Sequence, residues 1–461
     1  MKLGLVNAGL PAKVSSCLRT CAYPPLSIVY LASFLRRQLP RLELVLVDDQ
    51  LGDDLRFNDL DCCDLIGISA NSITYPRAIE IAESIKCTAP AALIVLGGIH
   101  GTVMWRQVLT NKPCFDYVVL GQGEVALLGL LVGTPVSAIP NLSYREGDES
   151  RRNPFQFVPI ESIPPPDFTL LEHSSYSRNF RKHYGNKSGL RSAAFTSSTG
   201  CAWREASGGC AFCSIPPIRH SRLSPCRFWT HVQVVQTAAH ADFLWDVSDT
   251  FTSDATWVGQ VGEAKPSATD VSFHVYARAN DLADARLLGA LRRIGVVEAL
   301  VGAESFDDRI LKTCNKGVTS AQIFRALRAL QDAGIRVALS LVFGLPGEDV
   351  QSLNNTIAAC ERIRQEFAIA EMHASIITPL PGSPLFSSLL RNPQMRKLYE
   401  HIDVIPHEAL LGDYVRLFTN CCVEDLVEAY VTVDNMFPSA GPFYLREDSP
   451  VYQRIGYRGM I

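Results

Sequence analysis

The sequence predicts an α/β protein with a Rossmann-like first domain, a partial (β/α)6 barrel and a small, mostly helical C-terminal region. Short apolar runs alternate with amphipathic helical segments near the start of the chain, and the same alternation returns after a proline-rich stretch. A chain of 461 residues with 47% hydrophobic content is also long enough to bury more than one core. The predicted boundaries are 1–145 for the first domain, 146–189 for a linker, 190–390 for the barrel and 391–461 for the C-terminal region.

In the first domain, five strands are predicted from runs of four to six mostly apolar residues, each followed by a turn signal or polar residues: 3–6, 42–47, 65–69, 92–96 and 117–120. Two helices, 26–37 and 75–86, carry apolar residues at helical spacing. Prolines stand at or near both helix starts, where a missing amide hydrogen is harmless.

Residues that follow these strands are the binding candidates, because ligands of such sheets lie beyond the carboxyl ends of the strands. The candidates are Ser69, Asn71, Gly97, Gly98, His100, Thr102, Gly121, Gly123 and Glu124. Glycine there lets the backbone approach a bulky ligand. No complete Gly-x-Gly-x-x-Gly fingerprint follows the first strand, which disfavours a nicotinamide cofactor.

The stretch between the two domains is rich in proline and polar residues, which predicts a linker. Six strands are then predicted for the barrel: 193–196, 243–247, 272–276, 299–301, 336–343 and 372–377. In barrels the chemistry lies at the carboxyl ends of the strands. Cys314 lies in the segment 311–316, whose expected role is helix and barrel packing, and is assigned no chemistry.

Cys201, Cys210 and Cys213 share one loop directly after the first barrel strand. Three thiolates leave one iron of a four-iron cluster without a protein ligand, and an open iron is a site for chemistry. Zinc is the alternative, because Cys-x2-Cys also ligates zinc, but a fourth ligand such as Cys226 or His220 is then needed. The cysteine loop therefore predicts a redox enzyme.

Composition favours a cytoplasmic protein with reduced cysteines. No run of eighteen apolar residues occurs, and the first residues predict a buried strand rather than a signal peptide. The fourteen cysteines do not fit a short secreted disulfide scaffold. A net charge of −4 without a long Lys/Arg run gives no reason to expect nucleic acid or a membrane as partner, so a peptide or small molecule is expected.

Three motifs of the first domain together resemble the cobalamin-binding domain of class B radical SAM enzymes: Pro-Pro-Leu-Ser-Ile-Val-Tyr-Leu-Ala-Ser-Phe-Leu, Gly-Gly-Ile-His-Gly-Thr and Gly-Gln-Gly-Glu. The strand ends of the second domain are similar to the radical SAM fold in order and spacing, at 249–251, 276–278, 302–305, 343–348 and 378–383. The resemblance covers most of residues 1–390.

The resemblance implies three cofactors: a [4Fe-4S] cluster on the three cysteines, S-adenosylmethionine (SAM) and cobalamin. It places the corrinoid on the candidate loops of the first domain, where His100 is expected to contact corrin side chains or the next loop. Arg278 is the candidate for the SAM carboxylate and Glu304 for the ribose hydroxyls, unless the two pair with each other. Phe212 is expected against the cluster or adenine, and Asp249 and Pro379 complete the cofactor-binding set.

One departure concerns the cysteine spacing, since most radical SAM enzymes have Cys-x3-Cys-x2-Cys and this chain has Cys-x8-Cys-x2-Cys. The widened loop is similar to those of cobalamin-dependent C-methyltransferases that mature ribosomal peptides, which usually have seven intervening residues.

The resemblance implies a methyltransferase that uses two SAM molecules. One methylates cob(I)alamin and the other yields the 5′-deoxyadenosyl radical, so that methylcobalamin alkylates an unactivated carbon of a peptide or natural-product substrate. An electron donor such as flavodoxin or ferredoxin is implied as a partner. The alternatives are a rearrangement, cyclisation or oxidation with the same cofactors, and a sensor without turnover, which would not need the matched SAM-site residues.

Overall fold

The computed structural model describes residues 1–11, 21–51, 59–171, 173–183, 190–216 and 218–437. They form two compact units. The first holds Met1–Ala194 together with Thr237–His240 and Leu390–Ile405, and the second holds Phe195–Gln236, Ala241–Leu389 and the chain from Pro406 onward. The end of the predicted linker and residues 438–461 of the predicted C-terminal region lie outside the described residues. The four domain boundaries stay predictions.

A seven-stranded sheet in the order β2-β1-β3-β4-β5-β6-β7 forms the centre of the first unit. Its strands are β1 (Lys2–Asn7), β2 (Glu43–Asp48), β3 (Leu65–Ser69), β4 (Leu93–Gly97), β5 (Tyr117–Val119), β6 (Leu142–Glu146) and β7 (Glu149–Arg152). β1 to β5 are parallel, as the α/β pattern predicts, while β6 and β7 add an antiparallel hairpin.

The hairpin was not predicted, because its sequence lacks the apolar run of a buried strand. The outer strand β7 is mostly exposed and carries charges that pair across the turn, such as Arg151 with Glu146 at 3.1 Å. Charged side chains of this kind protect a sheet edge against pairing with other chains. A polar edge strand therefore gives little signal to a search for apolar runs.

Helices cover the faces of this sheet. The first unit contains α1 (Leu26–Gln38), α2 (Tyr75–Thr88), α3 (Gly98–Asn111), α4 (Glu124–Leu131) and α5 (His173–His183). The apolar side of α1 packs with α4 on the sheet and buries Ile28, Ala32 and Leu35 beside Leu3 and Leu127. The predicted helices 26–37 and 75–86 are confirmed with ends one or two residues longer.

The second unit contains a six-stranded sheet in the order β15-β14-β13-β12-β11-β8, which confirms the predicted open barrel. Its strands are β8 (Ser192–Phe195), β11 (Phe243–Asp246), β12 (Ser272–Ala277), β13 (Val296–Glu304), β14 (Arg336–Phe343) and β15 (Ile369–Ile376). A small antiparallel pair, β9 (Ser198–Thr199) and β10 (Ser221–Arg222), brackets the cysteine loop.

Ten helices in the described part of the second unit alternate with these strands or follow them: α6 (Ala202–Ser207), α7 (Pro225–Ala239), α8 (Ala255–Glu263), α9 (Ala285–Ile294), α10 (Asp308–Thr313), α11 (Ser320–Asp332), α12 (Val350–Glu366), α13 (Pro384–Leu389), α15 (His407–Phe418) and α16 (Val423–Met436). A short helix, α14 (Pro393–Tyr399), precedes α15 and belongs to the first unit. Among the described residues, none of these helices has the length and apolar character needed to cross a membrane.

A layer of large side chains fills the barrel away from the carboxyl ends of its strands. The register places three buried residues, Trp245, His274 and Glu298, side by side on three neighbouring strands. Trp245 stacks on the His274 ring at 4.0 Å, and His274 Nδ1 lies 2.8 Å from Glu298 Oε1 with both side chains fully buried. This packed layer leaves the opposite end of the barrel for the site.

Candidate functional site

The carboxyl-end loops of the first sheet are tied together by hydrogen bonds. Ala70, after β3, donates its amide to Gly97 O at 3.2 Å. Thr102 Oγ1 connects the next two loops, because it donates to Gly98 O and accepts from Gly121 N, each at 2.8 Å. The structure thus brings together at one edge of the sheet the predicted residues Ser69, Asn71, Gly97, Gly98, Thr102 and Gly121.

This edge leaves room for a bulky ligand. A Cβ built on Gly97 would meet only Ile68 O, at 3.9 Å, within a radius of 4 Å. Asn71 is exposed, and its Oδ1 fixes the loop by accepting from Ile73 N and Thr74 N at 2.9 and 3.0 Å. Small residues on a firmly held loop fit the close approach of a flat macrocycle. The residues present therefore fit a corrinoid.

His100 and Glu124 lie deeper than the other candidates. The His100 ring is fully buried, stacks on Tyr75 at 3.9 Å and has Nδ1 3.0 Å from Ser72 Oγ. It therefore contacts the loop and helix that follow β3, while its expected contacts with corrin side chains or with the next loop stay predictions. Glu124 begins α4 after Gly123, and burial raises the pKa of its carboxyl.

Gly98→Ala is expected to cost the first unit most of its cobalamin. Gly98 has φ +84°, and an added Cβ would lie 2.4 Å from Ala70 O, so the loops after β3 and β4 must separate. The measurement is cobalt per chain after reconstitution with hydroxocobalamin, with the thermal midpoint recorded in parallel. Gly133→Ala is the matched control, because Gly133 has φ +75° but nothing within 4 Å of its Cβ position. Equal cobalt retention in both variants would contradict the prediction.

The loop of the three cysteines is shaped by a short helix and by glycines. Cys201 is the N-cap of α6, which ends at Gly208 with φ +84°, a conformation that glycine adopts without strain. The chain then turns sharply, because Cys213 N donates to Cys210 O at 3.1 Å. Cys210 is buried and the other two cysteines are half-buried.

Cations stand beside these thiols. Burial raises the pKa of Cys210, while Lys316 and Arg278 oppose that rise. Burial likewise raises the pKa of Cys213 to about 11, opposed by Arg204, whose Nη2 donates to Cys213 O at 2.5 Å. A cation near a thiol favours the thiolate that a metal needs. Three thiols on one loop, two of them with cationic neighbours, fit an iron–sulfur cluster.

The zinc alternative receives no support. Within the part of the chain that the structure describes, no three His, Cys, Asp or Glu side chains are grouped to hold a single metal ion. Cys226, a suggested fourth ligand, lies exposed near the start of α7. A four-iron cube binds each thiolate on a different iron, so its three cysteines need not converge on one point.

A buried ion pair lies at the end of β13. Lys316 Nζ contacts Glu304 Oε1 at 2.7 Å, and Ser340 Oγ donates to Glu304 Oε2 at 3.0 Å. Gly302 makes space for the pair, since a Cβ there would lie 2.4 Å from Glu304 Oε1. Glu304 itself has φ +64°, an uncommon conformation for a residue with a side chain and one that recurs at functional sites.

Arg278, after β12, does not pair with Glu304, so the structure contradicts the expected alternative of a mutual ion pair. Its Nη2 donates to Lys316 O, and its guanidinium lies over the Trp203 ring at 4.5 Å. Arg278 and Glu304 therefore both contact Lys316, Arg278 at its carbonyl and Glu304 at its ammonium group. Lys316 lies in the segment 311–316, for which the sequence predicts a packing role. No strand-end signal marks Lys316, because it follows α10 rather than a strand.

The remaining predicted residues differ in accessibility. Asp249 keeps an exposed surface but is crowded enough for desolvation to raise the pKa of its carboxyl, opposed by Arg204. Phe212, between two of the cysteines, is half-buried, and Pro379 is buried after β15. Whether these residues contact a cofactor stays a prediction.

Residues 20–131 match the B12 binding domain family, and residues 195–360 match the radical SAM superfamily. The chain is a cobalamin-dependent radical SAM enzyme. Its class uses cobalamin, SAM and a [4Fe-4S] cluster, so the cofactors implied by the sequence are confirmed at the level of the class.

Similarity to known proteins extends over both domains of this radical SAM enzyme. An uncharacterised methyltransferase of Pyrococcus horikoshii is 26% identical over 85% of this chain and 84% of the relative. An anaerobic magnesium-protoporphyrin IX monomethyl ester cyclase of Rubrivivax gelatinosus is 25% identical over 80% of this chain. The chain covers 66% of that cyclase, slightly less than two thirds of its length.

The fold is also similar to that of a solved radical SAM enzyme. The cobalamin-dependent SAM radical enzyme OxsB, solved with aqua-cobalamin and SAM bound, has a TM-score of 0.72 and 19% identity to this chain. The match covers 93% of this chain and 65% of OxsB, again slightly less than two thirds of the other protein. At this identity the likeness concerns the fold alone.

Proposed function

We propose that this enzyme is a C-methyltransferase that transfers a methyl group from SAM, through the corrinoid, to an unactivated carbon of a peptide or natural-product substrate. The observation that carries the proposal is the similarity, across both domains, to a relative named as a methyltransferase. Two further observations support the proposal: cations lie beside Cys210 and Cys213, and glycines line the carboxyl edge of the first sheet.

When bound, the cluster and the corrinoid supply the one-electron cleavage of SAM and the transfer of its methyl group. An electron donor such as flavodoxin or ferredoxin is the proposed reductant. The protein contributes position and charge. Arg278, held by the Lys316 carbonyl and the Trp203 ring, is the proposed partner of the SAM carboxylate. Glu304, at a neighbouring strand end, is the proposed acceptor for the ribose hydroxyls.

The test uses the reconstituted full chain, a chemical reductant and SAM with a deuterated methyl group, under anaerobic conditions. A methyltransferase is expected to form S-adenosylhomocysteine beside 5′-deoxyadenosine, because one SAM donates its methyl group and another is cleaved. Cys210→Ala serves as the control that should lose 5′-deoxyadenosine. Deoxyadenosine without S-adenosylhomocysteine would contradict methylation.

The second candidate is a cyclisation, rearrangement or oxidation with the same cofactors. The similarity to the cyclase of Rubrivivax gelatinosus favours it, because that match also extends over both domains. In that case SAM cleavage proceeds and the deuterated methyl group enters neither the corrinoid nor a product. The same experiment therefore separates the two candidates.

A further inference from the structure

We propose that the widened cysteine loop acts as a positioning element: its helix α6, through Trp203, holds Arg278 and the turn Asn315–Gly317 in place for binding the amino-acid part of SAM. The inference rests on the proposed radical SAM chemistry and assigns a role to residues of this chain that the usual three-residue spacing does not contain. Trp203 is thus a positioning residue that acts through Arg278.

Trp203 contacts both Arg278 and the turn Asn315–Gly317. Its indole face carries the Arg278 guanidinium at 4.5 Å from the ring centroid, and its Nε1 donates to Asn315 O at 2.9 Å. A cation over a Trp ring is the strongest of the aromatic–cation contacts, and it gains strength when desolvated. Arg278 is only 6% exposed. The ring therefore fixes the plane of a buried guanidinium.

Further hydrogen bonds join the same loop to the same turn. Asn315 Nδ2 donates to Ser207 O at 3.1 Å and to Gly209 O at 2.8 Å. Asn315 is thus bonded to Trp203 near the start of α6 and to the residues at its end. Asn315 adopts φ +53°, a conformation that Asn tolerates better than most residues. The turn is therefore bonded to α6 from two sides.

Gly317 shows that the turn and the indole ring fit closely. A Cβ on Gly317 would lie 2.4 Å from two atoms of the Trp203 ring. Between Asn315 and Gly317 stands Lys316, whose carbonyl accepts from Arg278 and whose ammonium pairs with Glu304. Trp203 thus supports, through one turn, the partners of both candidate SAM-binding side chains.

The spacing of the cysteines provides the room for this element. Eight residues separate Cys201 from Cys210, and the six residues of α6 occupy most of them. Three intervening residues, the usual spacing, are fewer than one helical turn. The insertion is accordingly needed for the helix that carries Trp203, while the cysteines at its two ends remain available to a cluster.

The test compares Trp203→Ala and Trp203→Phe with the parent protein after anaerobic reconstitution. The readouts are iron and sulfide per chain, and the SAM concentration that half-saturates the SAM-induced change in the electron paramagnetic resonance spectrum of the reduced cluster. We expect unchanged iron and sulfide in both variants. The half-saturating SAM concentration should rise about tenfold or more in Trp203→Ala, and by less in Trp203→Phe, which keeps an aromatic face but loses the Nε1 donor.

Trp105→Ala is the matched control, since Trp105 on α3 also carries an arginine, Arg106, at 5.1 Å from its ring but lies in the first unit. It should leave SAM binding unchanged. Loss of iron in Trp203→Ala and Trp203→Phe, or unchanged SAM binding in both, would overturn the proposal. If the parent protein shows no SAM-induced spectral change, the proposed function fails instead, so the two failures are distinguishable.

Coupling provides a second criterion. If Trp203 acts through Arg278, the effects of Trp203→Ala and Arg278→Lys on SAM binding should not add, because each removes the same stacked arrangement. Additive effects in the double variant would show that Trp203 contributes by another route and would overturn the positioning role.

Discussion

Cys210→Ala is expected to abolish 5′-deoxyadenosine formation, a loss of at least about a thousandfold, which corresponds to roughly 4 kcal/mol in activation free energy. Burial raises the pKa of the Cys210 thiol, while nearby Lys316 and Arg278 favour the thiolate that binds iron. Without this ligand, two thiols remain for a cluster that needs three. The measurement is 5′-deoxyadenosine released from SAM under reducing, anaerobic conditions, together with iron and sulfide per chain.

Two other cysteines provide the controls for that experiment. Cys314 is fully buried, and this burial, with a smaller contribution from nearby Cys210, raises the pKa of its thiol; its Sγ donates to Leu311 O at 3.5 Å. Cys360 is equally buried on α12. Replacing either with Ala should leave iron content and deoxyadenosine within about twofold of the parent protein. Iron retention in Cys210→Ala, or loss of iron in Cys314→Ala, would mean that the cluster has another ligand set.

The sequence predicts the parallel strands well because their apolar runs reflect burial on both faces. β3 and β14 have the predicted bounds, and the other predicted strands shift by one to three residues at their ends. β13 is longer at both ends than predicted, since Glu298 and Gly302 interrupt its apolar run. The strand nevertheless continues, because Glu298 is satisfied by His274 inside the barrel.

The site is predicted less completely, for a physical reason. Cysteine spacing and strand-end position are enough to propose Cys201, Cys210, Cys213, Arg278 and Glu304 as site residues, since the topology of a barrel brings strand ends together. Trp203 and Lys316 lie on a loop helix and after α10, and no periodicity places such residues next to a strand end. Only the folded structure shows that Asn315 and Gly317, which flank Lys316, pack against the indole ring of Trp203.

In the first unit, too, the position of His100 could not be predicted from the sequence alone. Its position in a glycine-rich loop after β4 suggests a ligand contact, whereas the structure stacks it on Tyr75 beneath that loop. The glycine that precedes it by two residues allows this burial, because Gly98 adopts a left-handed conformation and brings the chain against Ala70. The loop geometry, more than the imidazole, is what the ligand would meet.

Lys316→Met is expected to lower the free energy of unfolding by about 3–5 kcal/mol, because it leaves the carboxylate of Glu304 buried without its cation. Both side chains of the pair are only 8% exposed, so water does not replace the lost partner. The measurement is urea unfolding of the cofactor-free chain. Lys312→Met, an exposed lysine on α10, is the matched control and should change stability by less than about 0.5 kcal/mol.

The double variant Glu304→Gln with Lys316→Met separates the ion pair from the volume of the lysine side chain. Removing both charges eliminates the uncompensated carboxylate, so the double variant should be more stable than Lys316→Met alone. The hydrogen bond that Ser340 Oγ donates to residue 304 changes in the double variant, because a carboxylate oxygen is replaced by an amide. If instead the two losses add, Lys316 stabilises the fold by packing on the turn rather than by its charge. The main-chain carbonyl of residue 316 that holds Arg278 is kept in both variants. SAM binding should nevertheless be weak in the double variant, because Glu304→Gln replaces one of the two proposed acceptor oxygens with an NH2 donor. Neutralising both Glu304 and Lys316 should therefore restore stability while SAM binding stays impaired. This result is expected if the ion pair serves SAM binding rather than the stability of the fold.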